Sequence, residues 1–344
     1  MTDTPSLESL TVSIEDEIAD TSMGRPHVVL LGAGASRAAL QDVDGNGLPV
    51  PLLRDIARDL DLFALFPEDL RELAGSDFES AYSQLVERED QAETMATINK
   101  VVSEYFSRLE LPDDPNLYDV LQLCLRAKDA IFTFNWDPFL IQSRQRLAAH
   151  GARGFPLLFF LHGNVRVGFC ARDEVSGMLG NRCSRCGAPF EPSQLLFPVE
   201  RKNYQDGHLV EREWKAMAEF LGACFMFTIF GYSAPTTDVE AIALLKGAWG
   251  SPEDRSLEQT EIINRPGADE DALREKWDPF IHTHHYEIHG SFYDSWMANH
   301  PRRTGEAYWN QYMEAKFIEE NPVPQNFADL GALVDWFRPL MDLE

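Results

Sequence analysis

The strongest constraint on this chain is a series of short apolar runs, each ending in glycine or in a small polar residue. The first is "HVVLL" at 27 to 31, followed by Gly32-Ala33-Gly34-Ala35-Ser36. "AIFTF" (130 to 134), "PLLFFL" (156 to 161), "CFMFTIF" (224 to 230), "EIIN" (261 to 264) and "HYEIH" (285 to 289) follow it. Uninterrupted apolar runs of this length read as parallel strands buried on both faces. Helical periodicity separates several of them, notably Asp137 to His150 and Asp238 to Trp249, which is the alternation of a doubly wound, Rossmann-like α/β sheet. Ligands of such sheets lie beyond the carboxyl ends of the strands, so the residues after each run are the candidates for chemistry.

Those residues are Gly32 to Ser36, then Asn135-Trp136-Asp137, His162-Gly163-Asn164, Gly231-Tyr232-Ser233 and Asn264-Arg265. A glycine turn opening a helix suits a phosphate, because the helix N-terminus leaves amides unpaired and glycine lets the ligand approach the main chain. Arg37 stands where the usual dinucleotide fingerprint has a smaller residue. Asn135 and Asp137 are also good helix caps, and His162 also suits an interior, hydrogen-bonded position.

The rest of the chain frames this core. Residues 1–25 read as a mobile or helical arm, 26–295 as the main domain, and 296–344 as a helical extension that packs on the sheet or meets a second protein. Within the main domain lie a helical insertion at about 52–128 and a cysteine module at about 166–200. The formal charge of -26 argues against direct nucleic-acid binding. It serves either solubility or a basic partner. No apolar stretch is long enough for a membrane span, and the acidic start lacks a signal-peptide pattern, so a cytoplasmic protein is expected.

Five cysteines without an export signal fit thiols or metal ligands better than disulfides. Cys183 and Cys186, followed by Gly187, have the spacing of a zinc knuckle, and Cys170 lies one loop earlier. The fourth ligand is then Asp173 or a nearby histidine; the alternative is a metal-free loop. Cys124 and Cys224 fall in apolar patterns and read as packing. His282, His284, His285 and His289 crowd together, but strand alternation splits them into two pairs on opposite faces.

The ordered set "LLGAGAS", "FTFNWD", "FLHGN", "CSRCGAPF", "FGYS" and "IIN" resembles the sirtuin family of NAD-consuming enzymes, over about residues 27–290. The resemblance implies that Gly32, Ala33, Gly34 and Ser36 hold the NAD pyrophosphate. It places Gly231 and Ser233 on the phosphate and adenosine side and Asn264 at the adenine ribose. Asn135 and Asp137 would lie beside the nicotinamide and its ribose, with His162 as general base. Deacylases of the family carry glutamine where this chain has Phe134, and an acidic peptide-gripping loop where it reads "LLFPVERKNY". The sequence, including "GYSAPTTDVEAIALL", looks closer to bacterial sirtuin-like NADases of antiphage defence. Asp238 is expected simply to begin the following helix.

Such an NAD glycohydrolase releases nicotinamide and ADP-ribose. The pyridinium leaves as a neutral molecule, so no acid is needed; an amide and a neutral imidazole can orient and deprotonate a ribose hydroxyl or water. The resemblance also implies a homo-oligomer and a protein partner or trigger within a defence system. The alternatives are an NAD-dependent deacylase or ADP-ribosyltransferase, and a non-catalytic sensor of NAD or ADP-ribose.

Overall fold

The computed structural model describes residues 10–41, 43–197, 208–232, 234 and 238–344. Its strands, in chain order, are β1 (Thr11–Val12), β2 (His27–Leu31), β3 (Ala130–Thr133), β4 (Leu157–Phe160), β5 (Val167–Cys170), β6 (Val175–Met178), β7 (Glu191–Pro192), β8 (Met226–Phe230), β9 (Gln259–Ile263), β10 (Tyr286–His289) and β11 (Phe317–Ile318). Each apolar run of the sequence therefore holds a strand, with bounds that differ from the run by at most two residues at either end; β9 begins two residues before its run.

Six strands form one parallel sheet in the order β10-β9-β8-β2-β3-β4. The chain steps outward from β2 to β3 and β4, returns to β8 on the other side of β2, and continues outward to β9 and β10. The order thus reverses between β2 and β8, and topology alone opens a crevice at the carboxyl ends of these two strands. Alternate residues of β2 feed the two cores. Val29 and Leu31 join the helical insertion, while Val28 and Leu30 pack with Trp214, Leu245 and Trp249 on the opposite face. Burial on both faces is why the strand shows no polar alternation.

The insertion packs wholly on the first face, through Phe78–Val86, Ala92–Ser107 and Leu117–Leu123 among other helices. Asn116 and Asp119 form a capping box that sets the start of the Leu117–Leu123 helix. The cysteine module is a small antiparallel sheet in the order β6-β5-β7.

The described part of residues 1–25 carries a helix, the helical form of the expected arm, and packs on the domain. β1 pairs in parallel with β11, and the Ile14–Ala19 helix buries Glu17 against His300. The C-terminal extension likewise packs on the domain. Its Leu330–Asp342 helix places Leu333, Val334 and Phe337 in the insertion-side core, and Trp296 and Tyr308 cover Phe225 and Met226. Buried Arg302 and Arg303 both donate to the Glu344 carboxylate, each with a bond of 2.7 Å. Among the described residues no helix is long and apolar enough to cross a membrane.

Candidate functional site

At the crevice the turns after β2 and β8 meet backbone to backbone. Gly34 N–H donates to Gly231 O at 3.0 Å, and Gly32 N–H to Phe230 O at 3.0 Å. A Cβ on Gly32 would fall 2.6 Å from Gly231 O. One on Gly231, which adopts φ +63°, would fall 2.2 Å from Ala35 N. These glycines are required by the contact between turns before any ligand is considered. The cradle expected from sequence is correspondingly narrower, since the Gly34 amide is engaged; Ala33 N–H has no partner among the described residues.

A cleft of about 1250 Å³ opens over these turns. Gly32, Ala33, Gly34, Ser36, Asn135, Asp137, His162, Gly231 and Asn264 all border it, so four strand ends other than that of β2 contribute one or more of the expected residues. Ser233 lies outside the described residues, as do residues 198–204 of the "LLFPVERKNY" stretch.

Ser36, Asn135 and Asp137 belong to one buried network. Asn135 Nδ2 donates to Gly32 O at 3.0 Å and to Ser36 Oγ at 2.9 Å. Ser36 Oγ donates to Asp137 Oδ2 at 2.6 Å and lies 2.7 Å from the Tyr118 hydroxyl. Asp137 Oδ1 accepts the Phe139 amide at 3.3 Å, which is the local capping role open to it. Asn135 makes no such cap, and its amide orientation is dictated because Gly32 O can only accept. Asn164, after β4, donates to the Asp137 carbonyl at 2.6 Å and ties the two strand-end turns together. Burial pushes the Asp137 carboxyl up to about 6, against the Ser36 and Phe139 donors, which favour its ionised form.

His162 follows β4 at a turn that only Gly163 can make. Gly163 adopts φ +77°, and a Cβ there would meet Gln194 O at 2.2 Å. The imidazole lies 4.7 Å from the Phe134 ring, which stacks on Tyr232 at 4.4 Å. Tyr232 in turn donates its hydroxyl to Asp238 Oδ2 at 2.9 Å. Asp238 occupies the N-cap position of the Val239–Trp249 helix without making a side-chain cap, so its carboxylate serves the tyrosine.

The metal-ligand atoms of Cys170, Asp173, Cys183 and Cys186 lie within 4.8 Å of one another. Cys170 Sγ is 3.6 Å from both Cys186 Sγ and Asp173 Oδ2, and Cys183 Sγ is 3.2 Å from Asp173 Oδ2. Tetrahedral zinc with thiolate bonds of about 2.3 Å holds its ligand atoms roughly 3.8 Å apart, so the donor set fits that ion. The fourth position is Asp173 rather than a histidine. Among the described residues the histidines form no comparable group. His282 to His285 precede β10 in a turn with Thr283 at φ +51°, so strand alternation does not apply to them, and only His289 lies on the strand.

Tyr118 is the site residue that sequence reasoning missed. Its helix start is legible in the Asn116 and Asp119 capping pattern, but helical periodicity assigns its side chain only to core.

No protein-family model and no curated protein matches this chain. Solved structures do overlap with it. One of Sir2 bound to acetylated peptide is 16% identical, covering 85% of this chain and 93% of the other, with a TM-score of 0.36. A Sir2 homologue in complex with NAD is 14% identical over 95% and 93%, with a TM-score of 0.35. A structure described by the structural basis of sirtuin substrate affinity is 17% identical over 82% and 93%, with a TM-score of 0.41.

Proposed function

We propose that this chain is an NAD glycohydrolase that cleaves the nicotinamide–ribose bond of NAD. The observation that carries the reading is the meeting of Asn135, Asp137 and His162 with the Gly32 and Gly231 turns in one cleft, at the reversal of strand order. The dinucleotide pyrophosphate lies over the Ala33 amide and the start of its helix. Asn135 has both amide hydrogens directed inward, which leaves Oδ1 to accept from a ribose hydroxyl or water without adding a charge. His162 takes the proton of that acceptor as nicotinamide departs. Asp137 acts through Ser36 and supplies negative potential beneath the oxocarbenium-like sugar. Ser36 is then a positioning residue rather than a phosphate ligand, because its single proton is held by Asp137.

Phe134 favours hydrolysis over deacylation. An apolar ring wedged between His162 and Tyr232 offers no hydrogen bond where deacylases of the sirtuin family place an amide. The motif resemblance to antiphage NADases, read from the sequence, supports extending the proposal to a defence effector that depletes NAD. Cys170, Cys183, Cys186 and Asp173 would hold a zinc ion, which would cross-link the small sheet structurally, and one zinc per chain by elemental analysis is expected.

Incubation with NAD should release nicotinamide and ADP-ribose in equal amounts. His162→Ala and Asn135→Ala should each lower turnover by about 100-fold or more with the melting temperature preserved. Product that forms only with an acetylated peptide, or tight NAD binding without product, overturns the reading.

A further inference from the structure

We infer that Tyr118 is a positioning residue of this site: its hydroxyl donates to Ser36 Oγ, and so fixes the Ser36 proton on Asp137 and the Asn135 amide on Gly32 O. The inference deepens the proposed reaction and rests on that reading only for its effect on turnover.

The argument is a count of protons. Ionised Asp137 has none, so the 2.6 Å contact between Ser36 Oγ and Asp137 Oδ2 takes the only hydrogen of Ser36. One Asn135 hydrogen goes to Gly32 O and the other to Ser36 Oγ. The remaining contact at Ser36, 2.7 Å from the Tyr118 oxygen, can then be made only with the tyrosine proton. Ser36 Oγ thereby gives one hydrogen bond and accepts two, which exhausts its capacity. Tyr118 itself is 0% exposed, so no water can replace it. Its phenol also lies 3.4 Å from Asn135 Nδ2.

The tyrosine is well anchored for this role. The capping box fixes the first turn of its helix, and Arg146 is ion-paired to Asp119 one residue on. The groups facing the Asp137 carboxylate are the Ser36 hydroxyl, the Phe139 amide, its own backbone amide and, through Ser36, Tyr118. Burial, followed by the Asp137 charge, holds the phenol well above its ordinary range, so it stays protonated and remains a donor.

Tyr118→Phe empties one acceptor site of a buried hydroxyl and weakens the Ser36 donor to Asp137. In carbon-13 carboxyl NMR the titration midpoint of Asp137 should therefore move to higher pH in Tyr118→Phe. Nicotinamide release should fall about tenfold in kcat with little change in KM, and the acid limb of the kcat profile should move with the NMR midpoint. Tyr118→Phe should cost nothing further in a Ser36→Ala background, since the tyrosine acts through the serine. An unmoved midpoint, or additive losses in the double variant, overturns the inference. If the wild type does not cleave NAD, the proposed function fails while the NMR midpoint still decides the role of Tyr118. Should Tyr118→Phe not fold, the wild type compared with Ser36→Ala decides it: a slowly exchanging Tyr118 hydroxyl proton in the wild type that is lost in Ser36→Ala supports the inference, and its absence from the wild type or its persistence in Ser36→Ala overturns it.

Discussion

Two fully buried carboxylates in this molecule are shifted in opposite directions. Asp137, at the cleft, is pushed up to about 6, while Glu261, in the middle of the sheet, lies below the usual glutamate range. Burial raises both. The difference lies in what faces them. Asp137 is met by neutral donors, the Ser36 hydroxyl, the Phe139 N–H and its own backbone N–H. Glu261 stands in a chain that crosses four adjacent strands. His27 Nε2 of β2 donates to Thr228 Oγ1 of β8 at 2.7 Å, and Thr228 Oγ1 donates to Glu261 Oε2 of β9 at 3.0 Å. His289 Nε2 of β10 donates to Glu261 Oε1 at 3.2 Å, as does the Trp296 amide at 2.8 Å. Burial keeps His27 neutral, whereas Glu261 and then Glu287 raise His289 against its own burial. One cluster keeps a charge under strain beside a cleft; the other neutralises its charge and ties the C-terminal extension to the sheet.

The comparison breaks most readily at Glu261. Glu261→Ala leaves buried Thr228 without its acceptor, leaves His289 to Glu287 at 3.5 Å and releases the Trp296 amide, at a cost of about 3–5 kcal/mol in unfolding free energy. Chemical denaturation measures this loss. NAD affinity of the folded fraction should stay within about twofold, because Glu261 does not border the cleft. A variant that melts like the wild type would show that the two carboxylates do not differ in kind.

Asp137→Asn should act the other way. Folding raises this carboxyl from 3.8 to about 6, so its contribution to stability is present below pH 3.8 and is lost as pH rises through 6. At pH 7 the ionised group therefore costs up to roughly 3 kcal/mol, and the neutral amide should recover part of it as a higher melting temperature. Turnover should fall about 100-fold at the same time, since the negative potential and the acceptor for Ser36 are both altered.

The two clusters also differ in how far the sequence announces them. Asn135, Asp137 and His162 stand out because each follows an apolar run, and the ends of parallel strands converge whatever lies between them in the chain. Cys170, Asp173, Cys183 and Cys186 are legible for a different reason: knuckle loops are local, so spacing carries their geometry. Tyr118 is hidden because its partner Ser36 is 82 residues away, and a buried phenol at helical spacing looks like packing. Gly32 and Gly34 read as a phosphate cradle, yet their first requirement is the Gly231 turn, a non-local contact that leaves no pattern nearby. The sheet cluster leaves one trace, the charged Glu261 within an otherwise apolar run, which demands a partner without naming it. Arg302 and Arg303 carry no such trace, since paired arginines ordinarily mark a surface.

The smallest expected effect is a pair of opposite pH slopes. Glu261 is depressed by His289, so its contribution is present above pH 4.5 and fades as pH falls through the folded value. His289 is raised, so its contribution is present below pH 6.5 and fades as pH rises through its folded value. The sheet cluster is therefore strongest between these limits, and the stability gap between wild type and Glu261→Gln should be widest there, by about 1 kcal/mol relative to pH 8. The gap between Asp137→Asn and wild type should instead grow as pH rises from 4 to 7. Unfolding free energies of the three proteins across that range distinguish the two behaviours, and parallel slopes would mean that cationic and neutral partners make no difference to a buried carboxylate in this fold.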